Sequence, residues 1–470
     1  MSTIAPPRFR FILVILVAIG GMTAMPLLQS VGIAPGVAAA FADDDDDNND
    51  DDDSGNSAGS SGGSSGGENR GNDGRRLRGD LRSLFRWPFQ RAERPAPPRR
   101  AVAIPDRARD EIVALGLDEA TIASLTQDGF VIDERTTIAL TGSELVKLTI
   151  PRGMTLDVAR QAVVAAAPSA NVDFNHFYQP EEKDTASCPG GDCKLIRHIV
   201  DWPHEAANGR ATGCGAPLPI GLVDTAINAD HASLAEATIE VLQLGDGTNS
   251  SSAAQHGTAV AALLVGSAGS RAPGLLPGGR LVAIDAFQRY GRATDIADIY
   301  DLIRALDMLA ARNIRIVNLS LSGPPNMLLE QAVRAIIDKG TILIAAAGNE
   351  GPNAKPVYPA AYADVIAVTA VDRNMKPYRR AVRGDHIDIA APGVGVWTAA
   401  SISGGRQKSG TSFAAPFVTA AAALLLGANP EMEPDEVADA LTRSANDMGE
   451  PGKDAIFGWG LLNAKVLCQS

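Results

Sequence analysis

Four polar residues occur in contexts that suit nucleophilic attack on a carbonyl group. Asp224 follows an apolar run in GLVDTA, His256 begins HGTAVAALL, and Ser412 opens an Ala-rich stretch, SFAAPFVTA. Each residue alone has a plainer interpretation, as a turn residue, a structural histidine or a helix N-cap. Together they supply a carboxylate, a base and a nucleophile, and Asn349 in AAAGNEG adds an amide donor for an oxyanion. The set therefore predicts attack by an activated serine.

Other hydrolytic chemistries lack their sequence signatures. Esterases and lipases with a serine nucleophile use GxSxG after a strand and the chain order Ser, Asp, His. No GxSxG follows a predicted strand here, and the candidate residues run in the order Asp, His, Asn, Ser. A metallohydrolase would need HExxH or clustered histidines and carboxylates at ligand spacing, and the sequence has neither. We therefore expect no required cofactor and assign no metal site, although a structural calcium ion stays open.

The elements that must position these residues alternate between apolar runs and amphipathic helices from about Leu195 onward. Continuous apolar runs predict buried parallel strands rather than half-exposed ones. The runs are LPIGLV (218–223), RLVAIDAF (280–287), IRIVNLSLS (314–322), TILIAAA (341–347) and DVIAVTAV (364–371). We predict an α/β domain with a doubly wound, mainly parallel sheet and helices on both faces. Its ligands should lie at the carboxyl ends of the strands.

The sequence predicts details of two of the connecting helices. One helix lies between the second and third strands, and the helix between the third and fourth strands should end at Lys339-Gly340, where the glycine caps it. The first of these helices should bury one apolar face against the sheet. The residues of that face are Ile296, Ile299, Ile303, Leu306 and Leu309.

A second, smaller unit is predicted at 101–185. A helical pattern lies near 118–125, and a strand-like run, LVKLTI, occupies 145–150. A helical pattern at 155–167 and an extended run, NVDFNHFY, at 171–178 follow. The last three segments predict a small β-α-β unit within an α+β domain.

Three motifs resemble the signatures of the subtilisin family of serine peptidases. They are HGTAVA (256–261), AAAGNEG (345–351) and GTSFAAP (410–416), in the family's Asp, His, Asn, Ser order, and the spacing of Asp224 and His256 also agrees. The similarity covers about 195–464. The resemblance implies an endopeptidase with Asp224, His256 and Ser412 as the triad and Asn349 in the oxyanion hole. A secreted scaffold that retains an inactive protease fold is the alternative, and the intact set argues against it.

The same resemblance implies how a polypeptide substrate would bind. An edge strand would pair with the extended substrate and read its backbone more than its side chains. The first specificity pocket is expected to be apolar and moderately shallow, with Glu350 at its rim. The implied substrate-binding residues are Ser320, Leu321, Ser322, Gly323, Ala346, Ala347 and Val357.

Two further points follow from the resemblance. Ala226 stands where the family usually has Gly, and because alanine adopts positive φ reluctantly, the turn after Asp224 is expected to differ slightly. The segment 128–178 is similar to a propeptide that assists folding and inhibits the site. We therefore expect a self-processing zymogen cut between Tyr178 and Lys194, with a permanent accessory domain as the alternative.

The N-terminal segments predict export. Residues 1–42 contain Arg8 and Arg10, an apolar run at 11–29 and a final Ala-Phe-Ala, as in a signal peptide or an uncleaved anchor. Residues 43–100 are rich in Asp, then in Gly and Ser, then in Arg, and are interpreted as a flexible linker. The subtilisin-like domain would occupy 195–470. The protein is thus expected to be secreted or periplasmic, and membrane-bound only if the anchor is retained.

The net charge limits the possible partners, and the cysteine content limits the possible disulfides. A formal net charge of -13 disfavours nucleic acid, because neutralising phosphates needs clustered Lys and Arg. We expect a monomer. Cys188, Cys193, Cys214 and Cys468 are an even number in an exported chain, which allows disulfides in three alternative pairings.

Overall fold

Strands and helices alternate along most of the chain. The structure is a computed structural model and describes residues 104–180, 183–184, 196–203, 216–244, 251–291, 294–465 and 467. The predictions for 1–42, for 43–100 and for the four cysteines concern residues outside these ranges. In chain order, the elements are β1 (Arg107–Leu115), α1 (Glu119–Gln127), β2 (Val131–Ile138), β3 (Ser143–Thr149), α2 (Leu156–Ala166), β4 (Asn171–Pro180), β5 (Lys183–Asp184), β6 (Ile220–Asp224), β7 (Thr238–Leu242), α3 (Ala254–Val265), β8 (Arg280–Asp285), β9 (Gln288–Tyr290), β10 (Thr294–Asp298), α4 (Ile299–Ala311), β11 (Ile316–Leu319), β12 (Leu321–Ser322), α5 (Met327–Ile337), β13 (Ile342–Ala346), β14 (Ile366–Val371), β15 (Ile389–Pro392), β16 (Val396–Ala399), β17 (Gly405–Ser409), α6 (Ala415–Ala428) and α7 (Pro434–Ser444).

Seven strands form a parallel sheet in the order β15-β14-β13-β11-β6-β8-β7. Side chains alternate between its faces, so that Leu222 of β6 packs in one hydrophobic cluster and Val223 in the other. Helices α3, α6 and α7 cover the first face, and α4 and α5 cover the second. The predicted doubly wound α/β fold is confirmed.

Two helix predictions differ from the structure at their ends. Ile296 does not belong to the apolar face of a helix, because it lies in β10, and α4 begins only at Ile299. The side chain of Asp298 caps that helix, accepting a hydrogen bond from Asp301 N at 2.9 Å. Helix α5 ends at Ile337, so the glycine predicted to cap it lies in the turn that follows the helix.

The run predicted as one strand at 314–322 is interrupted. It forms β11 and β12, and Ser320 lies between them. The parallel sheet continues through β11 alone, whereas β12 pairs with β4 of the smaller unit, whose described residues are 104–180 and 183–184 and which we call the N-terminal unit. Strands β7 and β15 lie at the two edges of the parallel sheet and were not among the predicted runs.

The N-terminal unit is larger than a β-α-β unit. Its sheet is antiparallel with the order β2-β3-β1-β4, so β1 lies between the two strands that α2 connects. Helices α1 and α2 contribute to a separate hydrophobic cluster with residues such as Leu125, Leu148 and Val163. The sequence reading missed β1 and β2.

Strand β4 extends this sheet into the larger unit. Beyond β1 it pairs with β10, through Phe177 and Tyr178, and then with β12, through Gln179 and Pro180. Strand β5 follows and pairs with β17. Strands β4 and β5 therefore pair with three strands of the larger unit, β10, β12 and β17.

Helix α6 is unusually apolar. The stretch Thr411–Ala428 is long and apolar enough to cross a membrane, but 89% of it is buried inside the fold. It packs against β11, β13, β14 and β15 and serves as the core helix of the parallel sheet.

Candidate active site

The four candidate residues lie at the carboxyl edge of the parallel sheet. Asp224 is the last residue of β6, and Asn349 follows the end of β13. His256 is in the first turn of α3, and Ser412 is in the short 3-10 turn that precedes α6. This edge is where open α/β sheets place their ligands.

Asp224 and His256 form a close buried pair. Asp224 Oδ1 lies 2.6 Å from His256 Nδ1, and the two side chains are only 2% and 3% exposed. The same carboxylate oxygen accepts the Thr225 backbone N–H at 2.7 Å. A carboxylate at Nδ1 fixes the tautomer that leaves Nε2 as the proton acceptor. The imidazole ring also packs 5.5 Å from the ring of Phe413, the residue after Ser412.

Ser412 is held by a buried polar network. Its hydroxyl donates to the Ser320 carbonyl at 3.1 Å, and the Ser320 hydroxyl donates to the Ser412 carbonyl at 2.9 Å. Asn318 Nδ2 donates to Ser320 Oγ at 2.8 Å, and Thr419 Oγ1 donates to Asn318 Oδ1 at 2.9 Å. Ser320, expected on the substrate strand, therefore contacts Ser412 directly. Sequence reasoning missed Asn318 and Thr419; the signal was an amide inside the apolar run IVNLS.

The amide of Asn349 is oriented by Thr411. Asn349 Oδ1 accepts hydrogen bonds from Thr411 N at 3.1 Å and from Thr411 Oγ1 at 3.3 Å. Its Nδ2 is buried and has no hydrogen-bond partner among the described residues. Because a buried donor without a partner costs free energy, such groups are found where a ligand or a transient charge completes them. The arrangement suits an oxyanion.

Two polar side chains hold the turn after Asp224 in place. Ala226 is not among the residues with positive φ, so alanine fits this turn without strain. Its backbone N–H donates to Ser252 Oγ at 2.7 Å, and that hydroxyl donates to Asp285 Oδ1 at 2.8 Å. Burial raises the pKa of Asp285 to about 6. The sequence reading missed both supporting residues.

The glycine of the HGT motif allows α3 to approach this turn. A Cβ on Gly257 would lie 2.3 Å from the Thr225 carbonyl oxygen and 2.6 Å from that of Ala226. The Gly257 N–H donates to Thr225 Oγ1 at 2.9 Å. A larger residue would therefore push His256 away from Asp224.

Some of the residues predicted to bind substrate line one cavity. A cavity of about 640 Å³ is lined by Ser322, Gly323, Glu350 and Val357, together with Lys355 and residues of the N-terminal unit. Ser322 Oγ donates to Glu350 Oε1 at 3.1 Å. Most of the lining residues are apolar, and Glu350 and Lys355 add charged groups to the lining.

The other predicted pocket residues do not line this cavity. Ala346 and Ala347 are fully buried, and Leu321 packs in the hydrophobic cluster beside α4 and α5. Among the described residues, no group of three or more His, Cys, Asp or Glu side chains is placed to hold a metal ion.

The comparisons with known proteins identify the family of this chain. The sequence profile of the subtilase family, peptidase S8, matches residues 215–460, which is more than half of the chain. The chain belongs to the subtilase family. The resemblance seen in its three motifs is thereby confirmed, and this subtilase is a serine-type endopeptidase, a hydrolase of peptide bonds.

Two curated relatives illustrate the extent of the similarity. Subtilisin DY of Bacillus licheniformis is 30% identical over 260 residues, which cover 54% of this subtilase and 92% of that protein. The minor extracellular protease Epr of Bacillus subtilis (strain 168) is 32% identical over 214 residues, which cover 45% of this subtilase and 32% of that protein.

A solved structure shows the same fold. Fervidolysin from Fervidobacterium pennivorans, a keratinolytic enzyme related to subtilisin, superposes with a TM-score of 0.65 at 20% identity. The match covers 79% of this subtilase and 62% of fervidolysin.

Proposed function

We propose that this subtilase hydrolyses polypeptides with Ser412 as nucleophile, His256 as general base and acid, and Asp224 as the residue that orients the imidazole. Asn349 would donate to the oxyanion. The observation that carries the proposal is the 2.6 Å contact between Asp224 and His256 at the sheet edge that also holds the buried amide of Asn349. Subtilisins need no cofactor, and none enters the scheme.

The reaction would proceed through an acyl-enzyme. The Ser412 hydroxyl turns from the Ser320 carbonyl to His256 Nε2, gives up its proton and attacks the carbonyl carbon. Asn349 Nδ2 and the Ser412 backbone N–H stabilise the oxyanion. The C–N bond then breaks, and the amine leaves with the proton from His256. Water, activated by the same imidazole, attacks the ester and releases the acid and Ser412.

We also propose that 101–185 is a propeptide domain that the enzyme removes from its own chain. The support lies in the strands that border the site. Gln179 and Pro180 pair with Ser322 and Leu321 on one side, and Lys183 pairs with Ser409 on the other. An uncut substrate would lie across the nucleophile in the same way. Its backbone would pair with one edge strand before the nucleophile and with another after it.

The registers narrow the expected processing site. Pro180 faces Leu321, and Lys183 faces Ser409, so the cut should fall between these two residues rather than anywhere up to Lys194. Continuing the pairing of β4 forward by one residue reaches residue 181, and continuing the pairing of β5 backward by one residue reaches residue 182. The expected cut is therefore the bond between residues 181 and 182, which lie outside the described ranges. The domain at 195–470 would then be the mature catalytic domain.

The proposed function also includes export of the enzyme. Residues 1–42, read as a signal peptide or anchor, and the extracellular relative named above support a secreted or periplasmic enzyme. Residues 43–100 would serve as a spacer. The substrates are polypeptides, and the N-terminal unit would act as an intramolecular inhibitor until it is released.

Intact-mass analysis tests the proposal. Residues 43–470 are produced with and without Ser412→Ala, and both proteins are measured after incubation. We expect the parent to yield two fragments that meet between Pro180 and Lys183, and the variant to stay whole. An uncut parent would overturn self-processing and favour a permanent accessory domain.

A further inference from the structure

Helix α3, which carries His256, begins without a capping side chain. Its N-cap residue is Ala253, which has no side-chain oxygen to accept hydrogen bonds from the first turn. A carboxylate from another strand lies there instead, since Asp295 Oδ1 of β10 accepts the Ala253 N–H at 3.2 Å. The side chain of Asp295 is only 10% exposed. The start of the helix is therefore bonded to β10.

The neighbouring strand holds the same segment. The backbone of Ser251, two residues before Ala253, forms an antiparallel bridge with Gln288 of β9. Strand β9 pairs with β10, and in that register Arg289 lies directly opposite Asp295. Arg289 Nη1 is 3.3 Å from Asp295 Oδ1, so the pair orients the carboxylate beside the helix. Asp295 therefore has a defined position at the start of α3.

The place of His256 in the helix makes a nearby negative charge important. His256 is the third residue of α3, and the positive end of the helix dipole disfavours a cation in the first turn. The proposed reaction nevertheless forms an imidazolium there, when the imidazole takes the serine proton. Asp224 offsets part of this cost through its contact with Nδ1. A second carboxylate at the same helix terminus would offset more of it.

The charges of Asp295 and His256 attract each other. Burial raises the pKa of Asp295, while the Ala253 N–H, Arg289 and a charged His256 lower it in part. Because the attraction is mutual, the ionised carboxylate favours the imidazolium. Arg289 opposes this effect, since its charge has the opposite sign. Asp285 also lies near the site, but its pKa of about 6 means that it loses its charge in the acidic range.

We propose that Asp295 is a positioning residue of the active site, which fixes the start of α3 and stabilises the imidazolium of His256 by its charge. The inference rests on the proposed function, in which His256 is the general base. The two effects can be separated by substitution. Asparagine at position 295 keeps an oxygen acceptor for the Ala253 N–H but carries no charge, whereas alanine has neither.

The pH dependence of kcat/KM tests the charge, because its acidic limb reports the protonation of the base in the free enzyme. For the processed enzyme, we expect Asp295→Asn to move this limb about half a pH unit lower, so that kcat/KM relative to its plateau rises about threefold on the limb. Arg289→Gln should move the limb in the opposite direction. Asp295→Ala should move it as Asp295→Asn does and also lower the plateau kcat about tenfold, because α3 loses its bond to β10.

A matched variant controls for net charge. Asp435→Asn removes the same charge from the first turn of α7 and should leave the acidic limb where it is. A purely structural role for Asp295 would alter the alanine variant but not the limb of the asparagine variant. An unmoved limb in Asp295→Asn, or a limb that moves in the same direction in Arg289→Gln, would overturn the proposal.

Nuclear magnetic resonance titration separates this proposal from the proposed function. The whole chain with Ser412→Ala has no nucleophile, and the imidazole signal of His256 is identified by its loss when His256→Ala is added. We expect the midpoint of this signal's titration to fall when Asp295→Asn is added, although neither chain turns over substrate. An unchanged midpoint would overturn the role of Asp295, whereas a parent enzyme that cleaves no peptide would overturn the proposed function alone.

Discussion

Ser252 and Asp285 share a 2.8 Å hydrogen bond beneath the turn that carries Asp224. Through it, Ser252 Oγ is oriented to accept the Ala226 N–H at 2.7 Å. The pair thus holds the backbone that follows the proposed orienting carboxylate. Neither residue reaches the reacting atoms in this arrangement, so both would act as positioning residues.

Ser252→Ala should lower kcat while leaving KM nearly unchanged. Without the hydroxyl, the Ala226 N–H loses its acceptor and the Asp224 turn loosens, so we expect a fall in kcat of about tenfold. Steady-state kinetics on the processed enzyme measures the effect. Ser251→Ala is the control, because Ser251 is an exposed serine next to Ser252 in the chain. Equal kinetics for the two variants would contradict the role of Ser252.

Asp285 should make stability depend on pH. Its pKa in the fold is about 6, above the ordinary value of 3.8, so the folded state binds the proton more tightly than the unfolded state. The stability contribution is full below about pH 4 and is lost as the pH rises to about 6. Asp285→Asn should remove this fall between pH 4 and 6. Urea unfolding at several pH values measures it, and an unchanged slope would count against the buried carboxyl as its source.

Asn349→Ala should reduce kcat by about a hundred- to a thousandfold with little change in KM. The reason is that the amide would act on the charge that develops in the transition state rather than on the bound substrate. Steady-state kinetics with one peptide gives both constants. A rise in KM at constant kcat would instead assign Asn349 to substrate binding.

The sequence points to some candidate residues of the site because their signals are local. The motifs around Asp224, His256 and Ser412 are short, so their residues could be identified without knowing the fold. The role of Ser320 could not be, since it depends on contacts with Ser412, far along the chain. Strands β1 and β2 were hidden because charged residues are frequent in RARDEIVAL and VIDERTTI.

A cluster of charges joins the N-terminal unit to α4. Lys147 Nζ lies 3.6 Å from Asp298 Oδ2 and also contacts Glu134, and Asn175 Nδ2 donates to Glu111 at 2.6 Å and to Asp298 at 3.1 Å. Arg304 lies 2.9 Å from Asp301 and 3.7 Å from Glu134. Burial raises the pKa of Glu111, and burial with Asp298 nearby raises the pKa of Asp301 to about 7. The carboxylates of Glu134, Asp298 and Asp301 therefore share the two cations Lys147 and Arg304 at this boundary.

Release of the N-terminal unit should be favoured at higher pH. The pKa of Asp301 is raised to about 7 in the joined state, and we expect release to hydrate this carboxyl and lower its pKa towards 3.8, so association should be strongest below about pH 4 and weaken as the pH rises to about 7. Size-exclusion chromatography of the processed protein at pH 5 and pH 8 should show more retained N-terminal unit at pH 5. Asp301→Asn should flatten the difference, whereas Asp338→Asn, at the end of α5, should not. Greater retention at pH 8 would contradict the sign.

Labelling with a serine-directed fluorophosphonate tests the central claim most directly. The reagent is added to the processed enzyme and to a His256→Ala chain that has been cut between Pro180 and Lys183 by added parent enzyme, so that both have lost the covalent link to the N-terminal unit, and the modified residue is identified by peptide mass mapping. The account predicts one label per chain, on Ser412, and little or none when His256 is replaced, because the base must take the hydroxyl proton. A label on another serine, or equal labelling of Ser412 without the imidazole, would contradict it.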